Sequence, residues 1–320
     1  MNETANRPIV LVAMGGHAFM QRGETGDIRD HERNAVAICG SLMTLVERNY
    51  NLVVTHGNGP QVGNLLLQNE LTRDSVPSMP LDVLVANTEG FLGYVLQQAL
   101  LNHLRRREIK RYVVTMITQV LVERDDPAFQ NPSKPIGPFL TKEQAEERRD
   151  RLGWKILDDA GRGWRRLVAS PRPVRVVQRH MIHDSASAGH IVVACGGGGI
   201  PIVRGEERDY EGVEAVIDKD LTSSVLAAEI GAELLIILTD VPQVYVHYGK
   251  PEQRALDAVT LKEIEALQAE GHFGKGSMGP KVEAIVNFLK SGGKRGLITS
   301  PARLGDAMDG RAGTHFVGKI

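Results

Sequence analysis

The chain has 320 residues, and 34 are glycine, about one in nine against a usual level of about 7%. Lys and Arg (38) nearly cancel Asp and Glu (39), and 42% of residues are apolar, which excludes a disordered chain and argues against a nucleic-acid binder held by a broad basic face. The glycines follow no three-residue period, which excludes collagen, and two cysteines, Cys39 and Cys195, cannot build a disulfide framework.

Met1 to Pro8 carries no basic cluster, and no apolar run approaches the length of a membrane helix. The expectation is a cytoplasmic protein with no cleaved leader. Ile9–Met14 is short, partly β-branched and followed by Gly15-Gly16, which predicts a buried strand entering a glycine turn. A helix is expected over about 31–50. Leu52–Thr55 reads as a second buried strand, running into His56-Gly57-Asn58-Gly59-Pro60 and a helix to about Arg73. A long helix is expected over about 81–107, and one strand over 112–122. Residues 125–177 differ: they hold Pro-rich stretches, both tryptophans and many arginines. They read as an inserted subdomain or lid, with a helix at 141–152 and strands near Trp154 and Leu167.

Strand logic resumes at His190–Cys195, which leads into Gly196–Gly199. A helix over 221–230, a strand over 233–239, helices over 260–270 and 280–290, and strands near 296–299 and 314–317 complete the pattern. Buried strands alternating with helices predict a single α/β domain over 1–320. It would be a three-layer αβα sandwich with a mostly parallel central sheet.

Three glycine loops follow predicted parallel strands, at Gly15-Gly16, Gly57–Gly59 and Gly196–Gly199. Ligands bind beyond the carboxyl ends of such strands, and glycine lets backbone N–H groups approach an anion. A fourth loop, Gly276–Lys281, opens a helix. Ten of the 34 glycines fall in these four loops, and Gly63 and Gly274 lie beside them, so the excess lies where a phosphate would approach backbone. Gly271–Lys275 has the wrong spacing for a P-loop, and Gly57-x-Gly59-x-x-x-Gly63 misses the dinucleotide fingerprint by one residue. Lys134 between prolines, and Lys219 between Asp218 and Asp220, point to positive charge on a transferred phosphoryl group.

The motifs together resemble the carbamate kinases of the amino acid kinase family over about Ile9–Val317. The resemblance rests on Thr55–Gly63, on Asp126–Phe139, on Gly196–Pro201, on Glu214–Asp220, on Ile237–Val241 and on Gly276–Val282. It implies a homodimer that transfers a phosphoryl group reversibly between carbamoyl phosphate and ADP, giving ATP and carbamate, with Mg²⁺. The insertion would close over the carbamoyl phosphate site. Carried over by motif, Gly15, Gly16, His17, Gly57, Asn58, Gly59, Gly197 and Gly198 would hold the carbamate and phosphoryl group. Lys134, Lys219 and Lys281 would neutralise it, and Asp218 or Asp220 would orient the lysines. Thr239, Asp240, Val244, Tyr245, Gly276 and Met278 would line the nucleotide pocket. No protein metal ligand, nucleic acid or membrane is implied.

Three positions depart from the family pattern. His17 stands where an asparagine is usual, Thr88-Glu89-Gly90 replaces Ser-Gln-Gly, and Pro242 replaces an acid. His17 and Glu89 could form a charged pair in place of an amide pair; Glu89 could equally be a helix-surface carboxylate. The alternatives are a same-fold kinase acting on another small carboxylate or carbamate-like acceptor, and a non-catalytic nucleotide-binding paralogue.

Overall fold

The first apolar run forms strand β1 (Ile9–Met14), and every residue of it is buried. Ile9, Leu11 and Ala13 enter one apolar cluster, and Val10, Val12 and Met14 enter a second. Successive side chains of a strand point to opposite faces, so β1 is covered on both sides, as a parallel strand in a layered α/β fold must be. The computed structural model describes residues 7–15, 19–21, 23–159, 161, 163–274 and 276–318.

Helix α1 (Ile28–Glu47), β2 (Asn51–His56), α2 (Gly59–Leu71) and α3 (Leu81–Arg106) follow, close to the expected bounds. The single strand expected over 112–122 is instead two, β3 (Val113–Thr115) and β4 (Gln119–Val122), which join different sheets. The cause is local and polar. Thr118 donates its hydroxyl to Met116 O (2.8 Å) and its N–H to Glu89 Oε2 (2.7 Å), which turns the chain between the strands.

Next come β5 (Lys134–Leu140), α4 (Lys142–Leu152), β6 (Lys155–Asp158), β7 (Trp164–Val168), β8 (Pro173–Val176) and α5 (Arg179–Ser187). A capping box between Thr141 and Gln144 starts α4, and Gly153 ends it in the left-handed region. β5, β7 and β6 form a small antiparallel sheet, while β8 pairs with β4 elsewhere. Ile136 of β5 and Val168 of β7 pack with Val62 and Leu66 of α2 in a third cluster.

The rest of the chain runs β9 (Ile191–Val193), β10 (Ile200–Arg204), β11 (Tyr210–Gly212), α6 (Lys219–Glu229), β12 (Leu234–Leu238), β13 (Val244–Val246), β14 (Arg254–Leu256) and β15 (Ala258–Thr260). It ends with α7 (Leu261–Ala269), α8 (Met278–Lys290), β16 (Arg295–Thr299), α9 (Leu304–Met308) and β17 (Thr314–Val317). Among the described residues the central sheet has the order β15-β17-β16-β12-β1-β2-β9-β3, parallel except between β16 and β17. Helices α1, α3 and α9 cover one face, and α5, α6, α7 and α8 cover the other. This is the expected αβα sandwich. Among the described residues no helix is long and apolar enough to cross a membrane.

Candidate active site

β12, β1, β2 and β9 are parallel neighbours, so their carboxyl ends share one edge of the sheet. Thr239-Asp240, Gly15, Gly57–Gly59 and Gly196–Gly199 follow those ends, the position where open α/β sheets bind ligands. The expected contributions of Gly16 and His17 fall outside the described residues. Asn58 is the residue before α2, with Gly59 first and Pro60 second in the helix. Its Nδ2 donates to Thr88 Oγ1 at 2.8 Å. Gly197 has φ +67, and a β-carbon on it would fall 2.1 Å from Asn58 Nδ2, so only glycine fits there. A β-carbon on Gly59 would meet no described residue within 4 Å. That open space lies at a helix start, where N–H groups are unpaired.

Three lysines from three elements meet at the start of α6. Asp218 caps the helix: its Oδ1 accepts from the N–H groups of Asp220 (2.9 Å) and Leu221 (3.3 Å). Its Oδ2 lies 3.5 Å from Lys134 Nζ. Lys134 also donates to Ile217 O at 2.8 Å. Asp220 accepts from Lys219 Nζ on Oδ1 (2.5 Å) and from Lys281 Nζ on Oδ2 (3.2 Å). Sequence alone left the choice between the two aspartates open. In the structure both hold lysines, but different ones.

This cluster is tied to the glycine loops. Thr222 Oγ1 donates to Gly198 O at 2.8 Å, and Thr55 and Ser223 hydroxyls lie 2.6 Å apart across β2 and α6. Burial would raise the Asp218 pKa, but Lys134, Lys219 and Lys281 outweigh it and bring it down to about 2. Burial lowers the Lys219 pKa, opposed by Asp220. Three ammonium groups against two carboxylates leave a net positive charge at a helix N-terminus, an arrangement suited to a phosphoryl group.

The nucleotide candidates divide into three groups. Thr239 and Asp240 follow β12 on the carboxyl edge, with the Thr239 N–H donating to Thr299 O at 2.9 Å. Gly276 and Met278 share with Lys281 the entry to α8, and a β-carbon on Gly276 would meet nothing within 4 Å. Val244 and Tyr245 lie in the β13–β14 hairpin. Val244 is buried in the apolar core, while Tyr245 is half-buried with its ring 5.9 Å from that of Tyr248.

Glu89, His56 and Thr118 complete the floor of the site. Glu89 is no surface carboxylate: it is 2% exposed. Its sequence signal was the departure from the family pattern. His56 preceded a recognised glycine loop. Thr118 gave no signal, because its role arises only when α3 packs against the turn between β3 and β4.

The amino acid kinase family profile matches residues 8–300. The carbamate kinase of Thermococcus kodakarensis is 45% identical over 311 residues, covering 96% of this chain and 98% of its own. A carbamate kinase-like protein of Escherichia coli is 44% identical, covering 97% and 99%. The structure of Giardia lamblia carbamate kinase bound to AMP-PNP superposes with a TM-score of 0.91 at 40% identity, over 98% of this chain and all of that one. A chain that shares this profile, this length and this placing of lysines and glycine loops belongs to the amino acid kinase family, among its carbamate kinases and carbamate kinase-like members.

Proposed function

We propose that this protein is a phosphotransferase that moves a phosphoryl group reversibly between carbamoyl phosphate and ADP. In the ATP-forming direction a terminal oxygen of ADP attacks the phosphorus of carbamoyl phosphate. The bond between phosphorus and the carbamate oxygen breaks, and carbamate leaves with the electron pair. The transfer needs in-line positioning and positive charge rather than a covalent intermediate. The observation that carries this reading is the triad of Lys134, Lys219 and Lys281 held by Asp218 and Asp220 beside the Gly196–Gly199 loop.

In this reading Gly57, Asn58, Gly59, Gly197 and Gly198 hold the phosphoryl group and carbamate. Thr239, Asp240, Tyr245, Gly276 and Met278 face the nucleotide, and Val244 supports that pocket from the core. The β5–β7–β6 sheet closes over the smaller substrate and carries Lys134 with it.

Among the described residues no three acidic, His or Cys side chains gather around one point, and Asp218 and Asp220 are engaged by lysines. This donor set fits an Mg²⁺ held chiefly by nucleotide phosphate oxygens and water. When bound, that ion neutralises charge on the bridging phosphates. The family's homodimer is part of the reading, and exposed Val36 on α1 and Tyr94 on α3 offer apolar surface on adjacent helices. The free, buried Cys39 and Cys195 suit a reducing cytoplasm.

A coupled assay for ATP from ADP and carbamoyl phosphate with Mg²⁺ tests the proposal. ATP formation supports it, and no ATP under any condition that keeps the protein folded sinks it.

A further inference from the structure

A buried carboxyl group with no cation beside it among the described residues is an unusual neighbour for a site that takes anions. Glu89 lies in α3 directly after Thr88, the partner of Asn58. Its Oε2 accepts from the Thr118 N–H at 2.7 Å. Its Oε1 is buried and has no hydrogen-bond partner among the described residues. A β-carbon on Gly196 would lie 3.0 Å from Glu89 Cγ and 2.6 Å from His56 Nε2. The carboxyl group, the imidazole and the first glycine of the loop therefore share one packed space.

Among the described residues the surroundings supply no positive charge. From β2, His56 sets its Nδ1 3.0 Å from Gly57 O. A carbonyl can only accept, so Nδ1 carries the hydrogen and Nε2 keeps a lone pair. Burial holds that ring neutral down to about pH 4. From the glycine loop, burial pushes the Cys195 thiol up, so it too is neutral. The turn between β3 and β4 contributes only the Thr118 N–H.

Given the phosphotransferase reading above, on which this inference rests, we propose that Glu89 works as a protonated carboxylic acid beneath the Gly196–Gly199 loop, and that carbamoyl phosphate is accepted only while that proton is in place. With Oε2 taken by Thr118, the proton belongs on Oε1, which accepts no hydrogen bond from the described residues. An ionised Glu89 would place an uncompensated negative charge against an incoming phosphate, in surroundings that screen poorly. Burial pushes the Glu89 carboxyl well above the ordinary carboxylate range, against the pull of the Thr118 and Gly196 N–H groups. Glu89 is thus a positioning and specificity residue. It does the work of a neutral amide at neutral pH and repels the substrate once it ionises.

Infrared spectroscopy and steady-state kinetics test this together. Wild-type protein at neutral pH should show the carbonyl stretch of a buried carboxylic acid, absent from Glu89→Gln. KM for carbamoyl phosphate should depend on pH differently in the two. Any rise in wild-type KM at high pH, about tenfold per pH unit above the ionisation, should be missing from Glu89→Gln. The inference is overturned if the band is absent from wild type, if Glu89→Gln is about 100-fold poorer at neutral pH while folded, or if both proteins share the same high-pH rise. A wild type that makes no ATP at any pH overturns the phosphotransferase reading and the substrate half of this inference. The infrared band decides the proton half by itself.

Discussion

Lys281 reaches Asp220 across 61 residues of sequence, with Nζ 3.2 Å from Oδ2. The other oxygen of the same carboxylate holds Lys219 at 2.5 Å. One buried anion therefore sets the separation of two cations, and both would otherwise repel each other. Asp220→Asn keeps the size but removes the charge. Turnover should fall about 100-fold, as for the loss of a preorganised electrostatic contact, with circular dichroism unchanged. Lys219→Ala should fall at least as far. Near-normal kcat in either folded variant would show that the cluster does not act on the transferred group.

Two glycines separate fold from site. A β-carbon on Gly63 would fall 1.9 Å from Gly137 Cα, backbone against backbone. Gly63→Ala must push β5 off α2 and carry Lys134 away with it. It should cost roughly 1–3 kcal/mol of stability as well as activity. Gly59→Ala meets no described residue within 4 Å, so its melting temperature should hold or rise slightly. Its KM for the phosphorylated substrate should rise about tenfold, because the methyl group fills the space where an anion would meet the N–H groups of a helix start. Equal melting temperatures for the two variants would contradict this assignment of space.

Much of this was legible in sequence because the signals were local. β1 is fully apolar and both its faces are buried, so a continuous apolar run read correctly as a central parallel strand. The glycine loops announced the carboxyl edge, and Lys219 beside Asp218 and Asp220 marked the start of α6. What failed depended on distant partners. The break in 112–122 comes from Thr118 meeting Glu89 of α3, and β-branched composition carries no trace of it. Strand β5 was missed because Pro135 and Pro138 argue against a strand. It survives at the edge of its sheet, paired among the described residues only with β7. The division of labour between Asp218 and Asp220 needed coordinates, since adjacent charged residues look equivalent in a string.

His56 makes stability depend on pH on the acid side. Its folded pKa is about 4, below the ordinary value of 6.5, because burial disfavours the charged ring. The unfolded chain therefore takes a proton as pH falls below 6.5 while the folded one does not. Stability present above pH 6.5 is lost as pH falls towards 4, by roughly 3 kcal/mol for a shift of this size. Urea unfolding of wild type and His56→Asn at several pH values measures it. The wild-type curve should fall more steeply over that window, and parallel curves would mean that His56 titrates normally in the folded state.

Asp218 does two jobs that two substitutions can separate. It caps α6 through Oδ1 and pairs with Lys134 through Oδ2. Asparagine is a comparable cap, so Asp218→Asn should keep the helix start, whereas Asp218→Ala should cost about 1 kcal/mol. Both lose the charge that holds Lys134. The wild-type Asp218 pKa, brought down to about 2 by the three lysines against the effect of burial, gives the check in acid. A depressed carboxylate contributes stability above its unfolded pKa of about 4, and loses it as pH falls towards 2. Asp218→Asn should lack that part of the acid unfolding curve while melting near wild type at low pH. If Asp218→Asn turns over like wild type, the 3.5 Å pair with Lys134 is not what aligns that lysine, and its 2.8 Å bond to Ile217 O is sufficient.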